Sequence, residues 1–329
     1  MRISLRTPRR SGVGDAADAM AAAGTALRGT GASSIAPSAR RAAADAPPLL
    51  RRLGAAVAVA ALAGLAAAKP GAAQMAAPGT GLALPESEAA AAGRRGWSLS
   101  LGVVTLAQPE FPGSDSLRVL PLPDFDLRYG DIAFLSLRDG AGLALLRWGG
   151  LSFGPIARLR FPRDQDSNAK ALHGLGDVDA TLELGGFLRY EARPFRLFAE
   201  LRQGVNGGGH GGLVLDLGAD WSGRLAPSWA FSVGPRASFG NARFARAYFG
   251  VSESQALRSG YAAFSPGGYA SLGAAGSLQY RVTERWTAAA FLDLRWLVGE
   301  VADSPIVRGP YGSDFQATIG LAISYRFGF

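Results

Sequence analysis

Apolar and polar side chains alternate with a period of two residues along most of the chain after Gly96. In stretch 315–329 every odd position is apolar and every even position is small or polar. Stretches 151–161 and 177–190 repeat the alternation with charged side chains in the polar phase. A period of two predicts β-strands that have one apolar and one polar face.

Turn-forming residues divide this region into twelve such segments. The predicted strands are 97–108, 118–129, 131–138, 141–148, 151–161, 177–190, 194–206, 213–223, 229–238, 267–281, 286–298 and 315–329. Asp139 and Gly140 predict a tight hairpin between the third and fourth strands. No run of 18 apolar residues follows Gly96, which excludes transmembrane helices from this region.

Strand length, loop length and aromatic placement distinguish a membrane barrel from a soluble sandwich or lipocalin-like barrel, which also show period two. Many strands exceed ten residues, enough to cross a bilayer when tilted by about 45°. Short connections (191–193, 283–285) alternate with long ones (162–176, 239–266, 299–314), as in outer-membrane barrels whose short turns are periplasmic. Aromatic residues near strand ends in the apolar phase predict interfacial girdles: Trp97, Tyr129, Tyr190, Trp221, Trp229, Tyr280, Trp286, Trp296 and Phe329.

The sequence therefore predicts an all-β fold, a transmembrane antiparallel up-and-down β-barrel of about 12 strands in residues 97–329. Residues 1–50 are rich in Ala, Arg, Gly and Ser and predict a disordered extension, whose length before an export signal suggests a mis-assigned translation start. Residues 51–73 are similar to a secretory signal peptide. Residues 74–96 predict a flexible periplasmic arm.

Within residues 51–73, the uncharged run 53–68 has 16 residues, fewer than the ~20 that span a bilayer. A retained anchor is therefore the less favoured alternative to a cleaved signal peptide. We expect Sec-type export, cleavage and insertion in the outer membrane of a Gram-negative bacterium.

The net charge of +8 arises mainly before the barrel, because residues 1–73 hold ten of the 34 Lys and Arg and only three of the 26 acids. Nucleic-acid binding needs a basic patch on the folded domain, so no nucleic-acid partner is predicted. The chain has no Cys, which excludes disulfides, thiolate metal sites and cysteine nucleophiles.

The polar phase of the strands places charges of both signs inside the barrel. The acids are Asp124, Asp126, Asp177, Asp179, Glu183, Glu200, Asp216, Asp220 and Asp293. The cations are Arg118, Arg128, Arg158, Arg160, Arg189, Arg196, Arg202, Arg236, Arg281, Arg295 and Arg326. A selective pore shows rings of one sign, so the mixture favours an ion-pair network that fills the lumen over a small, weakly selective diffusion channel.

The two histidines give little support for an enzyme or a metal site. His173 and His210 lie in predicted loops, and the glycines around His210 predict a flexible loop tip. A barrel lipid hydrolase needs a Ser and a His facing lipid within hydrogen-bond reach, and no local pattern supports one, so this is a distant third function. We expect no catalytic residues, no cofactor and no metal.

Several predicted loops carry short motifs, formed by Gly174, Leu175, Gly176, Asp177, His210, Tyr248, Phe249, Gly250, Val251 and Gln255. These motifs resemble those of the MipA/OmpV family of outer-membrane proteins. The resemblance implies an interaction with MltA, a lytic transglycosylase, and a non-enzymatic scaffold joining murein hydrolases to synthases. Other members resemble general surface proteins of the envelope. We expect contacts with outer-membrane lipid and lipopolysaccharide.

The last residues are similar to the signal that the outer-membrane assembly machinery reads. Tyr325, Phe327 and Phe329 are in the same phase at the C-terminus. They are the predicted assembly signal, and that machinery is a predicted partner.

Overall fold

The alternating segments form strands, and these strands close into an antiparallel barrel in a computed structural model that describes residues 96–328. The predicted extension 1–50, signal peptide 51–73 and all of the arm except Gly96 lie outside the described residues, as does Phe329.

Thirteen strand segments make up the barrel. They are β1 (Trp97–Pro109), β2 (Leu117–Tyr129), β3 (Ala133–Ser136), β4 (Gly140–Leu143), β5 (Leu146–Trp148), β6 (Leu151–Arg160), β7 (Thr181–Ala192), β8 (Phe195–Gly204), β9 (Leu213–Ala226), β10 (Trp229–Asn241), β11 (Gly268–Arg281), β12 (Trp286–Val298) and β13 (Phe315–Gly328). β4 and β5 are two parts of one strand that is interrupted at Ala144 and Leu145. The predicted number of twelve strands is confirmed.

Each barrel strand pairs with its neighbours in sequence, and the first pairs with the last. β1 pairs with β13 from Ser98↔Gly328 to Ala107↔Ile319, and both β4 and β5 pair with β6. Closure leaves no free sheet edge at these joins, which the bilayer interior requires.

Some strand bounds differ from the prediction. The hairpin 131–148 has shorter strands than expected, because its turn occupies residues 137–139 and Ser136 Oγ accepts the Asp139 amide at 2.9 Å. Gly140, with φ +75°, follows this turn as predicted. The predicted strand 177–190 begins only at Thr181, because Val178 forms an isolated bridge with Arg163 instead. Several strands run further than predicted, and the largest extensions are those of β9 to Ala226 and of β10 to Asn241.

All the long connections lie at one end of the barrel and the short turns at the other, except the turn 137–139, which joins β3 to β4 partway along the wall on the cap side. The long ones contain four α-helices, α1 (Ala169–Leu172), α2 (Ala242–Phe249), α3 (Glu253–Ser259) and α4 (Pro305–Arg308), and the 3-10 helices Gln165–Asn168 and Gly299–Asp303. We call the connections 110–116, 161–180, 205–212, 242–267 and 299–314 the cap. Within residues 96–328 no helix is long and apolar enough to cross a membrane.

The apolar phase faces outward, as the alternation predicts. The predicted girdle residues from Trp97 to Trp286 are exposed near the short-turn end, where Trp97 lies beside Tyr129 and Trp229 lies 4.6 Å from Tyr280 between ring centroids. Trp296 lies at the cap end, beside Phe315. Aromatic rings at such positions match the boundary of a bilayer.

Candidate functional site

The cap packs helix α2 onto the barrel end. α2 buries Phe244, Ala245, Tyr248 and Phe249, each at 3% exposure or less. They contact a cluster from the strands and the other loops: Val178, Val214, Tyr269, Leu297, Val301 and Val307. Arg163 holds the end of the helix by donating to the Tyr248 carbonyl at 3.0 Å. Val178, predicted to face lipid, is buried here because it precedes the strand. This end of the barrel is a packed lid.

The family-motif residues lie in this cap, with distant motifs in contact. Leu175 is buried in a second cluster that includes Val251. The Gln255 side-chain amide donates to the Leu175 carbonyl, 80 residues away in sequence. Gly174 has φ +76°, and an added Cβ would lie 2.8 Å from Arg258 Cβ, so a side chain would strain this contact. Val251 pairs with Phe264, and the Gly250 amide donates to Arg246 at the end of α2.

Two further motif residues, Gly176 and Asp177, lie in the connection before β7. Asp177 is exposed and accepts a hydrogen bond from the Gln165 amide at 2.7 Å. Asp177 and Asp179 were predicted to lie in the lumen, and that prediction is wrong, because both precede β7 in the cap. Gly176 has φ +73° and allows the turn between Leu175 and Asp177.

His210 is a buried member of the lumen network, and the predicted flexible loop tip is wrong. Its side chain is fully buried, and Nε2 lies 2.8 Å from Glu183 Oε1. Nδ1 accepts the Gly212 amide at 3.0 Å, so Nε2 carries the ring proton and donates to Glu183. The His210 amide donates to Thr181 Oγ1. Gly209 permits this approach, since an added Cβ would lie 2.2 Å from that oxygen.

We expect the barrel to lose stability between pH 7.5 and pH 5 partly through His210. Burial lowers the pKa of His210 below its usual 6.5, although the hydrogen bond to Glu183 opposes the shift. A group with a depressed folded-state pKa stabilises the fold fully above its unfolded pKa, and this contribution is lost as the pH falls through the folded value. Thermal unfolding in detergent at both pH values should show a smaller pH effect for His210→Gln than for wild type. An equal pH effect in both proteins would contradict this role.

Beside His210, buried ion pairs occupy the lumen beneath the cap. Arg202, at 1% exposure, donates to Glu183 Oε2 at 2.9 Å and also binds Glu200 and Asp216. Arg160 donates to Glu183 at 2.5 Å. Beyond Asp216 the network continues through Ser238 to the Arg295 and Asp293 pair. The predicted interior ion-pair network is confirmed.

The side chains of this network are packed against one another and exclude solvent where they meet. Side chains that line an open water-filled channel are exposed to solvent, whereas Glu183, Arg202, Asp216 and Arg295 are at most 4% exposed. Burial also raises the pKa of Tyr248 to about 12, so the hydroxyl directly above the network is uncharged at neutral pH. The cap and the network thus form consecutive closed layers.

The short-turn end is open and polar. One cavity of about 580 Å³ is lined by charged and hydroxyl side chains, among them Arg196, Asp220, Arg281, Glu284, Thr287 and Arg326. A second cavity of about 500 Å³ lies near Arg128 and Arg189. Both reach the rim residues Glu191 and Arg193. This end offers concave polar surface that the turns alone do not provide.

The structure separates the predicted site residues into two regions. The cap gathers the motif residues, whereas Tyr325 and Phe327 lie near the end of β13 at the short-turn end, where Tyr325 contacts Trp286. His173 is exposed in the cap, apart from His210. Within residues 96–328 no group of three or more His, Cys, Asp or Glu side chains is arranged to hold a metal ion.

Sequence reasoning missed the partners that hold the cap in place. Arg163, Phe244 and Ser304 are buried, and Ser304 Oγ donates to the Phe249 carbonyl at 2.7 Å. The signal available for Phe244 was its spacing from Tyr248 on one face of a short helix. Nothing local indicated that Arg163 and Ser304 bind α2, because the Tyr248 and Phe249 carbonyls to which they donate lie more than 50 residues away.

Comparison with known proteins gives one family and several barrels. Residues 101–327 match the model of a family described as MltA-interacting protein MipA. Among curated proteins no sequence matches the chain.

Three solved structures are similar to this chain at low identity. An outer membrane channel from Pseudomonas putida F1 is 14% identical, with a TM-score of 0.38, over 72% of this chain and 97% of that one. Neisserial surface protein A is 10% identical, with a TM-score of 0.24, over 70% and 97%. The CymD monoaromatic hydrocarbon channel is 11% identical, with a TM-score of 0.32, over 72% and 89%.

Proposed function

This chain belongs to the family of MltA-interacting protein MipA, and from that premise we propose that it is a non-enzymatic scaffold that holds a lytic transglycosylase at its short-turn end. It is an outer-membrane barrel protein. The observation that carries the proposal is the difference between its two ends. The cap and the ion-pair network close one end, while the other presents two polar cavities with a shared rim.

The proposed orientation places the short-turn end in the periplasm, where a murein enzyme works. In outer-membrane barrels short turns face the periplasm and long loops face outward. The cap then faces lipopolysaccharide, and the C-terminal residues Tyr325, Phe327 and Phe329 start assembly from the periplasm. A murein hydrolase and a synthase both reach the short-turn end in this arrangement.

The two cavities add binding surface that the small turns lack. A standard interface uses about 20–30 residues per side, whereas the shortest connections here are only residues 149–150, 193–194 and 227–228. The concave rim around Glu191 and Arg193 adds surface for a protruding segment of the partner. We propose that the arm 74–96 adds the rest by wrapping the partner, since a flexible segment can cover a large area at an entropic cost.

Capture of a purified lytic transglycosylase by the full-length protein in detergent tests the scaffold. We expect Glu284→Lys, on a short turn, to weaken capture by up to about fivefold, because an exposed ion pair is worth about 0.2–1 kcal/mol. Glu253→Lys, on the exposed face of α3 in the cap, makes the same charge change at the other end and should leave capture unchanged. Deleting residues 77–93 should weaken capture while the barrel still folds.

The other functions give different results in the same preparation. Equal capture by the Glu284→Lys, Glu253→Lys and wild-type proteins would contradict an interface at the short-turn end. A diffusion channel would show conductance steps in planar bilayers, which the buried layer around Arg202 disfavours. A lipid hydrolase would lose lipid turnover when His210 is replaced, yet His210 faces the barrel interior.

A further inference from the structure

One part of the barrel wall has a strand on only one side. β2 pairs with β1 along its whole length, but β3 pairs only with residues 126–129 of β2. The last contact of this hairpin with β2 is the Leu137 amide, which donates to the Phe125 carbonyl at 3.4 Å. On the other side, the pairing of β4 with β6 ends at Ala157. Within residues 96–328 no backbone segment pairs with this edge of β2 over residues 117–124.

We call this gap, between residues 117–124 of β2 and residues 158–160 of β6, the wall notch. The β3–β4 turn forms its lower boundary. Above it, the chain from Pro162 leads to Asn168, whose Nδ2 donates to Glu110 Oε2 at 2.6 Å just beyond the end of β1. The wall notch is therefore an opening bounded on all sides.

Two prolines prevent a further strand from filling the wall notch. The Phe125 carbonyl points toward β3, so the odd-numbered residues of β2 direct their backbone polar groups to this edge. Pro121 and Pro123 belong to this set and have no N–H to donate. They also remove two donors that would lie unpaired beside lipid. This edge is therefore unsuited to a strand from this chain or from a second copy.

Apolar side chains continue from the outer surface of β2 to its inner surface at the wall notch. On the outside Leu117 and Val119 are 50% and 65% exposed. On the inside Leu120 and Leu122 pair in register with Leu106 and Val104 of β1, which are buried in an apolar cluster. Leu122 packs against that cluster and remains partly accessible. Leu120 and Leu122 thus give the inner side of the wall notch an apolar strip, which lies between the inward-facing Arg118 and Asp124 of the same strand.

We propose that the wall notch binds one acyl chain of a surrounding membrane lipid, which passes through the wall and lies against Leu120 and Leu122. The site is continuous with the lipid-facing surface of the barrel, so the chain passes from Leu117 and Val119 outside to the apolar strip of Leu120 and Leu122 inside. An acyl chain needs no hydrogen-bond partner, which suits an edge without donors at Pro121 and Pro123. Lipid binding here does not depend on any murein partner.

Fluorescence quenching by lipid tests this site directly. The chain has no Cys, so a single introduced cysteine can be labelled cleanly with bimane. Leu122→Cys reports the inner side of the wall notch. Ile319→Cys is the lipid-facing control on a strand paired on both sides, and Thr287→Cys is the control in the polar cavity. In phosphatidylcholine vesicles with doxyl-labelled acyl chains, we expect quenching at position 122 of at least about half that at position 319, and little at position 287.

Quenching at position 122 as low as at position 287 would overturn the proposal. A second measurement avoids the label in case the labelled variant does not fold. In native mass spectrometry of detergent-solubilised protein, wild type and Ile319→Asn should each retain one added phosphatidylcholine, whereas the double variant Leu120→Asn/Leu122→Asn should lose it. Equal retention by the double variant and Ile319→Asn, or no retention by wild type, would also overturn it. Capture of a murein enzyme is measured separately, so either proposal can fail alone.

Discussion

Replacing Arg202 with methionine is expected to destabilise the folded barrel by about 3–5 kcal/mol. Arg202 is 1% exposed and is the cation between three carboxylates, those of Glu183, Glu200 and Asp216. Removing it leaves negative charges close together in a buried site where water cannot screen them. The loss of its several hydrogen bonds adds to this cost, since Glu183 Oε2 and Asp216 Oδ2 would each lose the guanidinium that donates to them.

Equilibrium unfolding in urea, with the variants refolded in the same detergent or lipid, measures this effect. Arg147→Met is the matched control, because Arg147 pairs with Asp131 at 2.8 Å on the exposed surface. An exposed pair is worth about 0–1 kcal/mol. Arg202→Lys should fall between the two, because lysine keeps the charge and loses the planar fork that bridges several carboxylates. A loss for Arg202→Met no larger than for Arg147→Met would show that the network contributes little to stability.

Leu321→Arg is expected to cost about 2–4 kcal/mol, because it places a cation against the hydrocarbon near the bilayer midplane. Leu321 is 63% exposed, lies in the middle of β13 and is paired on both sides, so it cannot turn away from lipid. Leu182→Arg is the depth control. Leu182 is in the same outward phase but is the second residue of β7, close to the cap, where such a cation costs about 0–1 kcal/mol.

The comparison again uses refolding equilibria in vesicles. Thr181, the inward neighbour of Leu182, is not a suitable lumen control, because it is fully buried under His210 and Gly209. Thr287→Arg serves instead, since Thr287 lines the open cavity and water can solvate the new charge. Equal losses for Leu321→Arg and Leu182→Arg would mean that the bilayer does not cover the strands as the girdle aromatics indicate.

Much of the barrel follows from local rules that the sequence satisfies. Leu321 faces lipid and Arg202 faces the lumen because side chains alternate between the two faces along each strand. This assignment needs no knowledge of the neighbouring strands. The hairpin at Gly140 follows from its turn residues. Trp97 and Trp286 lie at strand ends because their spacing from the turns fixes their height in the wall. The presence of mixed charges inside follows from the same alternation.

The structure of the cap could not be predicted from local rules, because its contacts join residues far apart in the chain. Leu175 meets Gln255 across 80 positions, and Arg163 meets Tyr248 across 85. His210 lies in a run of glycines, which locally indicates mobility. His210 is instead held by hydrogen bonds to Thr181 and Glu183, the first and third residues of β7. Glycine permits close approach as well as flexibility, and only the neighbouring chain determines which one applies.

The sequence by itself determined the twelve alternating strands, the lipid-facing and lumen-facing phases and the division into long and short connections, since each depends on residues adjacent along the chain. The tertiary structure alone decided that α2 packs over the barrel end, that Arg202 joins three carboxylates and that, among residues 96–328, β2 has a neighbouring strand on only one side over residues 117–124. These features depend on which strand ends at which height and on which loops meet over the barrel. The period-two pattern carries no information about the height at which a strand ends or about which loops meet, because it is the same at every position along a strand.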